Sequence, residues 1–495
     1  MRKPLSASAF LSLALALAVP AARAAPAVAP GPASKTPAAR LARPGSRPRP
    51  DVRSWELPNG LRVLFVANHQ APVATVQVFY HVGSKDEHVG NRGVAHMFEH
   101  LMFKGSEHVP PEEHARLLKE VGGVTNAFTT EDVTAYHQTV PPSYVDFAIR
   151  LEAERMRNLR LFPATVDSER KVVEEEKRLR IDNNPIGQAI ERFRALAYTK
   201  HPYQWTAAGV IADLEKVTPA DCKAFYDLHY RPNNATLIVV GDIEEQAVRR
   251  SVETHFGPLE RGPAVTRAYP EEPPQTALRE ATLTLPVALP VLVGGFHIPG
   301  AAHADIPALQ VLATILSAGE SSRMHRRLVR KEQLAVAAGG FAEAMEQSGL
   351  FLVYAAHLPG RDQEKIRRTL LDEVAKARTT PVAAPELAKA RNQLTAAYVF
   401  GLGSVDGVAR ELGLSELVEG DWHRFLDDAE RYEKVTAADV KRVAAKYLID
   451  SNLTFVTLKP QPPPQGSPAP ASSGPPSSSS PPSTPAPAGN AGGAS

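Results

Sequence analysis

Among 495 residues there is one cysteine, Cys222. A single thiol excludes an intrachain disulfide framework and a thiolate zinc site, so any metal must be held by imidazoles and carboxylates. Cys222 falls in a helical pattern and reads as a small buried side chain rather than a nucleophile. Net charge is also scarce. The 56 Lys and Arg against 54 Asp and Glu leave +2, too little for the basic field that nucleic-acid binding requires. Gly-rich phosphate loops are missing. No apolar run beyond the N-terminus approaches the roughly 18 residues of a membrane-spanning helix, so no membrane span is expected. What remains is chemistry supplied by His, Asp and Glu.

The two ends have little that could build a core. Arg2 and Lys3 precede an apolar stretch at 10–19, and Ala22-Arg23-Ala24 has the small-x-small pattern of a cleavage site. Residues 1–24 therefore read as a signal peptide, which implies a periplasmic or secreted protein; no cysteine follows to carry a lipid anchor. Residues 25–50, rich in Pro, Ala and Arg, read as a disordered lead, and 461–495, nearly all Pro, Ser, Ala and Gly, as a disordered tail.

Between them the chain repeats itself. Lys216-Val217-Thr218-Pro219-Ala220-Asp221 is echoed 218 positions on by Lys434-Val435-Thr436-Ala437-Ala438-Asp439, and Asn234-Ala235-Thr236-Leu237 by Asn452-Leu453-Thr454-Phe455. A helix start followed by a strand, recurring at one offset, points to duplication of a domain. Two similar halves are expected, 51–261 and 275–460, joined by a Pro-rich linker at 262–274. In the first half, alternation predicts strands around the Asn59-Gly60 turn, at 72–82, twice between 124 and 140, and at 235–240. Helical periodicity occupies 111–121, 142–158 and 163–181. Because strands and helices segregate, the expected class is α+β, with a mainly antiparallel sheet packed with helices in each half.

The chemistry concentrates in Gly93-Val94-Ala95-His96-Met97-Phe98-Glu99-His100-Leu101. On a helix, positions four apart share a face, so His96 and His100 can aim at one point with Glu99 beside it. Two neutral imidazoles suit zinc, and a carboxylate over an open coordination position can take a proton from water. H-x-x-E-H is the inverted zincin motif. The corresponding helix of the second half, at 306–317, has no histidine or acid, so the site belongs to the first half. A catalytic zinc needs a third protein ligand. The helix containing Glu169, Glu174, Glu175 and Glu176 can supply it, with Glu169 and Glu176 two turns apart. The residues alone do not choose Glu176 over Glu174 or Glu175.

The chain resembles the pitrilysin and insulysin family of zinc metallopeptidases, the inverzincins. It is most similar to the short two-domain members related to mitochondrial processing peptidase beta-type subunits and bacterial processing-peptidase-like proteins. The resemblance rests on H-x-x-E-H and on Gly122-Gly123-Val124-Thr125-Asn126-Ala127-Phe128-Thr129. His201-Pro202-Tyr203, Tyr230-Arg231-Pro232-Asn233 and Val240-Gly241-Asp242 follow in the family's order. At the family's spacing the third ligand is Glu176, after 75 intervening residues from His100, and the acid seven positions earlier is Glu169. The resemblance implies one zinc per chain on His96, His100 and Glu176. It also implies Glu99 as general base toward the zinc-held water, Glu169 supporting the ligands, and Asn126, Ala127, Phe128 and Thr129 as an edge strand on which peptide adds.

Family oligopeptidases also place an Arg and a Tyr over the scissile carbonyl. Here, anchored on Glu332-Gln333-Leu334, those positions are Val329 and Val336, with Arg330 one residue away. The expected assembly is therefore half of a clamshell, completed as a heterodimer by a homologous subunit that lacks the zinc motif and brings the Arg/Tyr pair; a homodimer is the competing arrangement. The function implied is a zinc endopeptidase acting on extended or unfolded peptides. The alternative is a non-catalytic subunit of the same fold. Other residues are secondary. His137, Asp132 and Tyr136 are candidates to line the cleft; His108 and His114 are expected to be exposed, and His69, His81 and His88 to be turn or surface residues. Gly319-Glu320-Ser321-Ser322-Arg323 reads as a structural turn.

Overall fold

A computed structural model describes residues 49–462. The signal peptide expected at 1–24, nearly all of the lead at 25–50 and nearly all of the tail at 461–495 lie outside the described residues. The first half forms a six-stranded sheet from β1 (Val52–Glu56), β2 (Arg62–Ala67), β3 (Ala74–Tyr80), β4 (Val124–Thr129), β5 (Thr134–Val140) and β6 (Ala235–Gly241), in the order β1-β2-β6-β3-β5-β4. The second half forms a five-stranded sheet from β7 (Arg279–Leu285), β8 (Val291–Pro299), β9 (Ala337–Ala344), β10 (Ser348–Ala356) and β11 (Leu453–Pro460), in the order β7-β11-β8-β10-β9. Apart from β1, the two orders are the same. Each sheet contains one parallel pairing, β2 with β6 and β7 with β11, and is otherwise antiparallel. The fold is therefore α+β, as expected, and no helix or strand occurs between His255 and Arg279.

The helices also correspond. In the first half they include α1 (Val94–Leu101), α2 (Val145–Asn158), α3 (Pro163–Lys177), α4 (Pro185–Ala197) and α5 (Pro219–His229). In the second they include α6 (Ile306–Ser317), α7 (Gln363–Thr379), α8 (Ala384–Gly401), α9 (Val405–Val418) and α10 (Ala437–Tyr447). The echoed motif makes the same structure twice. Thr218 and Thr436 each accept a hydrogen bond from the third helical residue, Asp221 or Asp439, whose carboxylate returns the contact to the threonine N–H. This reciprocal cap satisfies two of the donors that a helix start leaves unpaired.

The inner face of each sheet carries its own core. Val63, Val76, Met97, Phe98 and Tyr230 belong to the first; Leu309, Leu312, Phe351 and Phe455 belong to the second. The outer faces are exchanged. α4, from the first half, lays Ala189 and Phe193 on Val291, Val293, Leu352 and Val456 of the second sheet. α9, from the second half, lays Val408, Ala409 and Leu412 on Leu64, Phe79 and Ile238 of the first. A glycine receives an aromatic ring at each contact. A Cβ on Gly295 would stand 2.4 Å from the Phe193 ring, and one on Gly413 would stand 2.5 Å from Phe79. Each half thus covers the other, and the described residues up to Pro460 form one compact unit.

The two sheets also meet hairpin to hairpin. Asp132, in the β4–β5 turn, accepts hydrogen bonds from Tyr203 Oη (2.5 Å) and from the backbone N–H of Glu346, in the β9–β10 turn (3.0 Å). The Lys85 ammonium, with no exposed side-chain surface, lies 3.4 Å from Asp132 and 3.0 Å from Glu346. His81 approaches Glu346 at 2.8 Å. The expectation that Asp132 could line a cleft is therefore corrected, because one of its oxygens is taken by Tyr203 of its own half and the other by Glu346 of the second half. His81 is half-buried in the same cluster instead of serving the surface.

Candidate metal centre

α1 follows the amphipathic pattern of its sequence. Val94, Met97, Phe98 and Leu101 are buried, and His96, Glu99 and His100 lie on the opposite side. The helix begins at Gly93 with φ +104°, a left-handed conformation that favours glycine. Gly93 has no side chain to cap the helix, so Glu87 does it from outside. Its two carboxylate oxygens accept from the N–H groups of Gly93 and Ala95, both at 2.9 Å. Burial pushes the Glu87 carboxyl up to about 8 against the pull of these two donors.

α3 turns Val166, Glu169 and Val173 inward and so brings its acids to α1. Glu176 Oε2 lies 3.3 Å from His100 Nε2 and 3.8 Å from His96 Nε2. One ligand atom from each of His96, His100 and Glu176 can be chosen so that all lie within 4.8 Å of one another. Tetrahedral ligands at the usual zinc distances sit ~3.3 Å apart, so only a small closing movement separates this arrangement from coordination. The donor set, two imidazoles and a carboxylate, is that of a hydrolytic zinc site. These residues fit the ion. Glu174 and Glu175 are directed to Arg178 instead, at 3.4 Å and 3.6 Å.

Charges around the cluster are sharply differentiated. Burial, reinforced by the neighbouring His100, lowers His96 to about 4, which leaves a neutral imidazole with a free lone pair. Burial also pulls His100 down, but the Glu169 and Glu176 carboxylates outweigh it and raise His100 to about 9. Contact with His100 brings Glu176 down to about 2 against its burial, with His96 and Arg180 adding to the effect. Burial raises the Glu99 carboxyl, offset in part by the Thr129 hydroxyl that donates to Oε2 at 2.7 Å. Glu169 Oε2 lies 3.6 Å from His100 Nδ1, and Oε1 lies 3.1 Å from Lys104 Nζ. Burial raises this carboxyl, while His100 and Lys104 draw it below its ordinary value.

The structure brings His96, Glu99, His100, Glu169 and Glu176 into one cluster. Sequence reasoning did not anticipate Glu87, Lys104 or Arg180. Lys104 follows His100 by four, and Arg180, at 2.5 Å from Glu176 Oε1, follows Glu176 by four. That helical spacing was the available signal. β4 is an edge strand, with one side unpaired among the described residues. Ala127 packs toward α1 and Thr129 reaches Glu99, while Phe128 lies on the other face, 5.9 Å from Phe79 and beneath Arg410. The Phe128 side chain is thus directed away from the metal cluster. The Asn126 carboxamide accepts from the Ala127 N–H at 2.9 Å.

Several secondary candidates are corrected. Tyr136 is fully buried and donates to the Phe98 carbonyl at 3.1 Å behind α1. His137 faces Asp406 at 3.3 Å on the side of the sheet covered by α9. His114, expected to be exposed, is 4% exposed and packs edge-on against Phe103. His108 is exposed, as expected, and lies 3.2 Å from Glu154. Burial pushes the Cys222 thiol up to about 12, so it has no nucleophilic character. In the second half Val336 is half-exposed, and Arg330 is paired with Glu320.

Known proteins match both halves of the chain. The family described as "Insulinase (Peptidase family M16)" matches residues 62–207, and "Peptidase M16 inactive domain" matches 216–394. Zinc protease PqqE of Helicobacter pylori is 34% identical over 415 residues, covering 83% of this chain and 93% of that protein. The probable mitochondrial-processing peptidase subunit beta of Arabidopsis thaliana is 25% identical over 424 residues, covering 83% and 79%. The crystal structure of a protease from Helicobacter pylori superimposes with a TM-score of 0.80 at 34% identity, covering 83% of this chain and all of that one. No helix among the described residues is long and apolar enough to cross a membrane. With the metal-competent cluster in one of two matched halves, and relatives that extend across both, the chain belongs to peptidase family M16.

Proposed function

We propose that the chain is the catalytic subunit of a zinc-dependent endopeptidase that cleaves extended or unfolded peptides. The observation that carries this reading is the convergence of His96, His100 and Glu176 on one point, with Glu99 beside it and edge strand β4 ending on Glu99. His96, His100 and Glu176 would hold one zinc ion. Bound there, the ion would act as a Lewis acid and increase the acidity of water.

The chain's own residues supply the rest. A peptide pairing with the free edge of β4 would be fixed by backbone hydrogen bonds with little demand on its sequence. Thr129, the last residue of β4, then ties that peptide's position to the Glu99 carboxylate. Burial leaves Glu99 a stronger base than an exposed glutamate, suited to take a proton from the attacking water and return it to the leaving amine. Glu169, held by Lys104, orients His100.

The missing Arg/Tyr pair favours a second subunit that completes the site, and the subunit designation of the Arabidopsis relative is compatible with that. A homodimer is the alternative. The proposed location is the periplasm or the medium, from the signal-peptide pattern at 1–24. A non-catalytic role would leave the five-residue cluster without a purpose.

Replacement Glu99→Gln tests the reading. Metal content should stay at the wild-type level while turnover of an unstructured peptide falls roughly 100- to 10,000-fold. Turnover retained in that variant would refute the base assignment.

A further inference from the structure

Arg180 is outside the set that would hold the metal, yet it touches that set. It lies on a π-helical turn, Arg178–Asp182, directly after α3, and π-turns within helices concentrate at functional sites. Its side chain is 67% exposed, and Nη2 is 2.5 Å from Glu176 Oε1. The other oxygen, Oε2, faces His100 Nε2 at 3.3 Å and His96 Nε2 at 3.8 Å. The two oxygens of Glu176 thus have separate partners, guanidinium on one side and imidazoles on the other.

That division has a chemical consequence. A carboxylate free to rotate can turn both oxygens toward a divalent ion and chelate it. The second oxygen would then join the water as a fifth ligand and fill the position that a four-coordinate hydrolytic site keeps in reserve for substrate. We propose that Arg180 is a positioning residue that restricts Glu176 to single-oxygen ligation and so keeps one coordination position of the centre free. The inference rests on the metal assignment made above. Arginine suits the task because its planar guanidinium stays charged at any working pH and orients a carboxylate through a fixed set of N–H groups. Lysine would supply the charge without the orientation. The exposure of Arg180 also means that its replacement removes no core packing.

Cobalt(II) substituted for zinc reports coordination number through its visible absorption, which weakens when a four-coordinate ion becomes five-coordinate. The wild type should take up cobalt and show the stronger absorption. Arg180→Ala should bind the same amount of cobalt, keep the melting temperature of the metal-free protein and lose most of that intensity. Arg180→Lys should fall between them. Identical spectra for wild type and Arg180→Ala would overturn the role of Arg180 alone. Loss of cobalt from Arg180→Ala would overturn it too, since the residue would then be needed for binding itself. Failure of the wild type to bind cobalt would overturn both this inference and the metal assignment.

Discussion

The two halves run the same strand order and the same capped helix, but among the described residues only the first brings together side chains that could hold a metal. The difference is local. At the 218-residue offset of the repeat, Glu169 and Glu176 of α3 correspond to Leu387 and Leu394 of α8. Both leucines pack into the core of the second half. α6, the counterpart of α1, is buried on nearly every side, including Ala308, Leu309, Val311, Leu312 and Ile315. In the first half the α1–α3 contact is polar and open enough to take an ion; in the second the equivalent contact is filled with hydrocarbon. A helix pair can therefore serve as a site or as a core without changing the sheet beneath it.

The comparison can be broken most severely at the exchanged helices. Phe193→Ala removes the ring that α4 places on the second sheet, and Phe79→Ala removes the ring that meets α9 on the first. Each should cost about 3–5 kcal/mol, the range for truncating a buried aromatic. If the exchange is reciprocal, the two losses should be similar in denaturant unfolding. A large loss at one position and none at the other would show that one half stands without its partner's helix.

The hairpin junction gives a pH signature. Burial acts to raise the Glu346 carboxyl, but His81 and Lys85 outweigh it and bring the group down to about 2 from an ordinary 4.5. The folded-state value lies below the unfolded one, so its contribution is present above about pH 4.5 and is lost as pH falls toward 2. About 3 kcal/mol is the expected upper limit of that loss. Unfolding measured across this window should show a shallower decline for Glu346→Gln, which also starts less stable because Lys85 stays buried with a weakened counter-charge. A wild-type slope unaffected by the substitution would remove Glu346 from the acid sensitivity.

A smaller change makes one half resemble the other. Glu169→Leu copies Leu387 into α3 and removes the carboxylate beside His100 Nδ1. Metal affinity by chelator competition should fall roughly 10- to 100-fold, the usual cost of losing an outer partner of a ligand. An unchanged affinity would make Glu169 a packing residue only.

These contrasts also explain what was legible in the sequence. His96, Glu99 and His100 could be read because α1 is amphipathic and places them opposite Val94, Met97, Phe98 and Leu101. The duplication was legible because Thr218 and Thr436 begin the same capped helix. The choice among Glu174, Glu175 and Glu176 was not open to residue-level reasoning, since it depends on which face α3 turns toward α1; family spacing supplied it. The exchange of α4 and α9 was hidden for a related reason. An amphipathic helix reveals that it needs a sheet, not which sheet. Asp132 and Tyr136 were misplaced because a polar residue in or beside an edge hairpin looks the same in sequence whether it meets solvent or a buried partner, here Tyr203 and Glu346 for Asp132 and the Phe98 carbonyl for Tyr136.

The central claim is that the first half alone holds a metal, through His96, His100 and Glu176. The direct measurement is metal content by elemental analysis of the full chain, prepared without chelators, beside its Glu176→Leu variant, which copies Leu394. The account predicts one zinc per wild-type chain and a variant stripped of zinc that still unfolds cooperatively. A wild type with no zinc, or a variant that keeps its full complement, would contradict it.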